Sequence, residues 1–114
     1  MKLDNFFYES LVELSDIEIQ KKRWLNINNN SGLISSFDEL YCSLFDDMDF
    51  DFEITKIQNQ NLENKLIILK NKLNNYSEPI EKNGFFSDSK IIEDPNWVKI
   101  CDFAKEIIIS LNSM

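Results

Sequence analysis

Histidine is absent from the 114-residue chain. With it go the usual general base, the commonest metal ligand and most catalytic triads. Glycine and proline occur only twice each, which favours helices over a turn-rich β fold and leaves no Gly-rich phosphate loop. The two cysteines, Cys42 and Cys101, are too few for a zinc site without histidine. Both fall on expected helix faces among apolar residues, so they read as small buried hydrophobes in a reducing compartment. No apolar run approaches the roughly 20 residues of a membrane span. The first residues carry Asp4 and Glu9, where a secretory leader is apolar. The expected location is the cytoplasm, with no cofactor and no metal.

Positive charge is the other scarcity. Twelve bases face 20 acids, a formal charge of −8. Residues 1–57 hold 12 acids against 5 bases, whereas residues 58–114 hold 8 against 7. Such a surface repels nucleic acid and anionic membranes, and it attracts a basic protein partner. Against these absences, 43% of residues are apolar and 12% aromatic, including nine Phe. That is enough for one folded domain spanning residues 1–114 with a real core.

Helical periodicity runs through most of the chain. Asp4 or Asn5 caps a first helix with Phe7, Tyr8, Leu11, Val12 and Leu14 on its stripe. Ser15-Asp16 reads as a break and a new cap. The following helix carries Ile17, Ile19, Trp24 and Leu25 around a basic knot, Lys21-Lys22-Arg23. That knot balances Glu13, Asp16 and Glu18. Residues 26–35 read as a loop, with Gly32 and the Asn run suited to positive φ. A long helix is expected over about Ile57–Tyr76, with Leu62, Leu66, Leu69, Leu73 and Tyr76 as its seam. Residues 77–93 read as a connection that Phe85 and Phe86 pin to the core. Asp94-Pro95 then starts a last helix with Trp97, Ile100, Cys101, Ala104, Ile107, Ile108 and Leu111 on a wide stripe. Adding Val98, Phe103 and Ile109 makes it apolar on most sides, hence central.

The stretch Ser36–Ile54 is the most unusual. Phe37, Leu40, Tyr41, Leu44 and Phe45 form one helical stripe, opened by a Ser36/Glu39 capping box. Asp38 and Glu39 suit the positive end of that helix dipole. Asp46 and Asp47 then face its negative end. Beyond them Asp47, Asp49, Asp51 and Glu53 alternate with Met48, Phe50, Phe52 and Ile54. In an extended segment this puts four carboxylates on one face, neighbours about 6.6 Å apart. The alternative keeps Asp49, Asp51 and Glu53 as the acidic first turn of another helix. No Lys or Arg lies between Arg23 and Lys56 to neutralise the group. The expected fold is therefore all-α: a single-domain bundle of about four to five helices, with a short extended acidic segment between the central ones.

Catalytic chemistry is not indicated. Paired carboxylates could serve a glycosidase, but a small helical chain seldom forms the deep cleft required. The acids at 47, 49 and 51 match the start of a calcium loop, yet the sixth-position Gly is missing and Gln58 stands where a bidentate Glu is needed.

The chain resembles small acidic bacterial immunity proteins of contact-dependent growth inhibition and other polymorphic toxin systems. The residues that carry the resemblance are Trp24 before a polar loop, Ser35-Ser36-Phe37-Asp38-Glu39-Leu40, Leu44-Phe45-Asp46-Asp47, and Asp94-Pro95-Asn96-Trp97 with Ala104 following. It implies a helical, non-enzymatic cytoplasmic protein that binds and neutralises a cognate toxin domain. Such toxins are often basic nucleases. The physical expectation for the contact surface is Asp46, Asp47, Asp49, Asp51 and Glu53. The free protein is expected to be a monomer or weak dimer, with no direct contact to nucleic acid or membrane. The alternative is a helical adaptor or regulatory subunit whose acids serve solubility; a small metal- or ligand-binding protein is a third reading.

Overall fold

The computed structural model describes residues 4–26, 34–47, 49–83 and 88–113; for residues 46–47 and 77–83 it describes the backbone alone. All of its regular structure is helical. The elements are α1 (Asn5–Ser15), α2 (Ile17–Leu25), α3 (Phe37–Cys42) running into a π-helical turn (Ser43–Asp47), α4 (Phe50–Thr55), α5 (Gln60–Asn83), α6 (Asp88–Glu93) and α7 (Pro95–Asn112).

Side-chain caps set most of these boundaries. The carboxylates of Asp4, Asp16, Asp49 and Asp94 accept backbone N–H groups at the starts of α1, α2, α4 and α7, and Ser36 does so for α3. Asn59 Oδ1 accepts from Leu62 N–H at the start of α5. Each cap satisfies donors that the helix cannot. Asn26 closes α2 in the left-handed conformation, φ 54°, which Asn tolerates better than most residues.

The α7 helix lies between α1 and α5, while α2 packs on α6 and α4 on α5. The core joins Phe7, Leu11 and Leu14 of α1, the Leu62/Leu66/Leu69/Leu73 seam of α5, and Trp97, Ile100, Cys101, Ala104 and Ile107 of α7. The central place expected of α7 is met, although its Ile109 points to solvent. Aromatic rings extend the core: Trp97 lies 6.0 Å from Trp24, 5.4 Å from Phe37 and 5.3 Å from Tyr76. From Phe37 the rings continue through Tyr41, Phe45 and Phe50 to Phe7.

Three expectations require correction. The extended acidic segment is α4, a helix capped by Asp49. The π turn ends at Asp47 and α4 starts afresh from its Asp49 cap, so Phe50 and Ile54 share a buried face at i and i+4, and Ile57, just past the helix end, is buried as well. Second, α5 runs past Tyr76 to Asn83 and through Pro79, and α6 occupies much of the expected connection. Third, Cys42 is exposed, whereas Cys101 is buried as expected. Gly32 and the Asn run at 28–30, Met48, Phe85 and Phe86 lie outside the described residues.

Candidate functional site

The acids of the N-terminal half divide into two kinds. Glu13, near the end of α1, is buried and holds three donors. Arg23 Nη1 lies 2.8 Å from Oε1, while Trp24 Nε1 and Ser35 Oγ donate to Oε2 at 3.2 and 3.0 Å. The expected balance between the basic knot and its acidic neighbours is present in this pair and in a surface contact of Lys21 with Glu18, 3.5 Å. Glu53 is the other acid buried among the described residues. Its Oε1 accepts the Asp4 N–H at 2.7 Å and its Oε2 pairs with Lys56 Nζ at 2.7 Å. In α4, residue 53 is only 60° around the helix from Phe50, so it turns inward and ties the start of α1 to α4. As an expected contact residue Glu53 is therefore corrected: it faces the protein.

The second kind faces water. Asp38 and Glu39 are exposed on the first turn of α3. They help line a shallow cavity of about 300 Å³ with Cys42 and Ser43. Asp49 and Asp51 are exposed on α4. Asp49 Oδ1 accepts from Phe52 N–H at 3.1 Å, and Asp51 Oδ1 meets Lys70 of α5 while the side chain stays 69% exposed. The backbone of Asp46 and Asp47 forms the end of the π turn. Their side chains, and so the remaining expected contacts, lie outside the described residues.

Phe52, on the outward side of α4 with Asp51 and Thr55, is 57% exposed. Sequence reasoning placed it on the apolar face of a strand; in the helix it points away from Phe50 and Ile54. Lys56 Nζ lies 5.1 Å from its ring centroid, a cation–π contact. The signal that finds it is the Asp49 cap, which fixes the phase of α4 and leaves Phe52 opposite the core.

The remaining buried polar groups belong to the fold. Gln20 donates through Nε2 to the Glu13 and Leu14 carbonyls at 3.1 and 3.0 Å and accepts from Trp97 Nε1 at 2.9 Å. It thereby joins α1, α2 and α7. Burial pushes the neighbouring Cys101 thiol up to about 12, against a smaller downward pull from Gln20. Tyr76 donates to Asp94 Oδ2 at 2.8 Å, and burial followed by that carboxylate raises its hydroxyl well above the ordinary value. Among the described residues no three His, Cys, Asp or Glu side chains group to hold a metal ion, and no helix is long and apolar enough to cross a membrane.

No protein-family model matches the chain, and neither curated proteins nor solved structures provide a match.

Proposed function

We propose that the protein is a non-catalytic immunity protein that binds and neutralises a cognate basic toxin domain, such as a nuclease, in the cytoplasm. One observation supports this above the others: the Asp49 cap and Asp51 of α4 are exposed carboxylates within three positions of an exposed aromatic residue, Phe52. Carboxylates steer a basic partner in, and an exposed aromatic side chain on the same short helix supplies apolar contact that charge alone does not. Asp46 and Asp47 precede this group in the chain and complete the proposed contact set, from which Glu53 is withdrawn. The acidic surface occupies the path that nucleic acid takes on a basic nuclease. The free protein is a monomer or weak dimer in this reading.

The test is co-expression with the gene immediately upstream, followed by pull-down of the tagged protein. The expected result is a stoichiometric basic domain whose toxicity disappears when both are made. Reversing the charges at 46, 47, 49 and 51 then slows association by about tenfold or more and flattens its salt dependence. A folded reversed variant with the original on-rate and salt slope refutes the acidic surface. Absence of both capture and protection refutes immunity.

A helical adaptor or regulatory subunit is the second reading. It is favoured by the structural employment of these acids: Asp49 caps α4, Asp51 meets Lys70, and Glu53 is buried. Under that reading the same co-expression protects nothing.

A further inference from the structure

We infer that the outward face of α5 binds a second copy of this chain, with two α5 helices lying side by side across a two-fold axis. The contact uses none of the acids of α4 and goes beyond toxin binding, which does not depend on it.

Residues 60–76 of α5 have eight exposed side chains, and only one of them, Lys72, is charged. At about 100° per residue the other seven fall within an arc of about 120°, opposite the Leu62/Leu66/Leu69/Leu73 seam. All seven are Asn, Gln or Ile, with Asn64, Ile67, Ile68 and Asn71 along the middle. An exposed helix face is where charge ordinarily collects, and 28% of this chain is charged. Two exposed Ile are common on a folded surface; depletion of charge around them is the mark of an interface centre. The lysines bordering the face turn elsewhere. Lys70 meets Asp51 of α4, and Lys72 Nζ lies 5.7 Å from the centroid of the Phe103 ring of α7. Gln60 Nε2 donates to Asn64 Oδ1 at 3.1 Å and orders the start of the face.

The occupant follows from self-complementarity, because a two-fold contact sets a surface against its own copy. Carboxylates and ammonium groups fail that condition. An amide meets it, carrying donor and acceptor together, and Ile packs on Ile. At a formal charge of −8, two copies repel wherever their acids meet, and this face lets them approach without opposing carboxylates. A basic partner finds no carboxylate here to hold it. Residues 60–75 span about 24 Å, so two such faces bury on the order of 1,000 Å² in total, at the low end for a specific interface. The dimer is therefore weak and reversible.

Sedimentation equilibrium of the whole chain, run up to about 1 mM, is expected to show a monomer–dimer exchange with a Kd between about 10 μM and 1 mM. Two double variants each set like charges across the axis: Asn64→Asp with Asn71→Asp, and Asn64→Lys with Asn71→Lys. Each is expected to weaken self-association at least about tenfold. Mixing the two restores a dimer, because opposite charges then face each other whichever way the helices run. Ile109→Asn, at an exposed site of α7, leaves the dimer as it was. Dilution of the isotope-labelled, unsubstituted protein needs no variant to fold, and its concentration-dependent shifts are expected on the outward residues of α5. A monomer at every concentration, a dimer indifferent to both double variants, a mixture that restores nothing, or dilution shifts confined to other helices overturns the α5 contact.

Discussion

Replacing Glu13 by Ala is the sharpest test of how this chain manages buried charge. The carboxylate is the shared acceptor for Arg23, Trp24 and Ser35, which come from α2 and from the segment leading into α3. Removal strands the buried Trp24 indole N–H, at about 1–3 kcal/mol for an unsatisfied donor. Breaking a buried ion pair by deleting one partner costs about 3–5 kcal/mol when the survivor stays buried. Arg23 is 32% exposed and turns to water, so its share is well below that figure. The net expectation is a loss of about 2–4 kcal/mol. At roughly 4 °C per kcal/mol for a chain of this size, the melting temperature falls by about 8–16 °C. Urea unfolding followed by circular dichroism and tryptophan fluorescence measures it, with the exposed Glu18→Ala as the control expected to cost under about 0.5 kcal/mol. Equal midpoints for the two variants refute the assignment of Glu13 as a structural hub.

Gln20→Leu keeps the volume but strands Trp97 Nε1 and removes the donor to two α1 carbonyls, so equilibrium unfolding is expected to show a loss of about 2–4 kcal/mol. Thiol titration is expected to label Cys42 rapidly in the folded protein and Cys101 only on unfolding, because the first is exposed and the second buried. Alkaline pH is destabilising through Cys101, whose thiol stays protonated in the fold up to about 12 against an ordinary value of 9.0. The folded state holds that proton more tightly, so the stabilisation is full below pH 9 and is lost as pH rises through about 12. The slope approaches about 1.4 kcal/mol per pH unit for each such group. Tyr76, also raised, adds to the decline above pH 10, and unfolding of Cys101→Ala across this range shows a shallower loss.

The parts of the fold with a single helical phase were legible in the sequence. The α1, α5 and α7 stripes and the Asp16 and Asp94 caps stand where periodicity and capping chemistry put them. The acidic stretch was legible only as one of two readings: the alternative, a new helix opening on Asp49, Asp51 and Glu53, is the one found, but period-two alternation over Asp47–Ile54 fits a strand as well as a helix whose phase restarts at Asp49. Alternation alone does not separate a strand from a short helix with Phe50, Ile54 and Ile57 inward. The inward turn of Glu53 depends on two partners, Asp4 N–H, 49 positions away in the chain, and Lys56 Nζ. The first is a tertiary contact that no local pattern encodes.

Charge composition invites a functional reading of every acid, yet the structure gives many of them folding work. Asp4, Asp16, Asp49 and Asp94 cap helices, Asp88 accepts the Phe37 N–H, and Glu13 and Glu53 are buried hubs. Capping does not neutralise a carboxylate, so Asp49 serves the α4 start and still presents its charge to solvent. The negative surface is thus compatible with both docking and mere solubility, and counting acids does not separate the two. Phe52 does not separate them alone: it is one of several large hydrophobics exposed among the described residues, with Phe6, Ile34 and Ile109, and Lys56 already lies over its ring. Single exposed apolar residues are ordinary on a folded surface. What distinguishes the two readings is charge reversal measured on a captured partner: a docking surface loses on-rate and salt dependence, and a solubilising one loses neither.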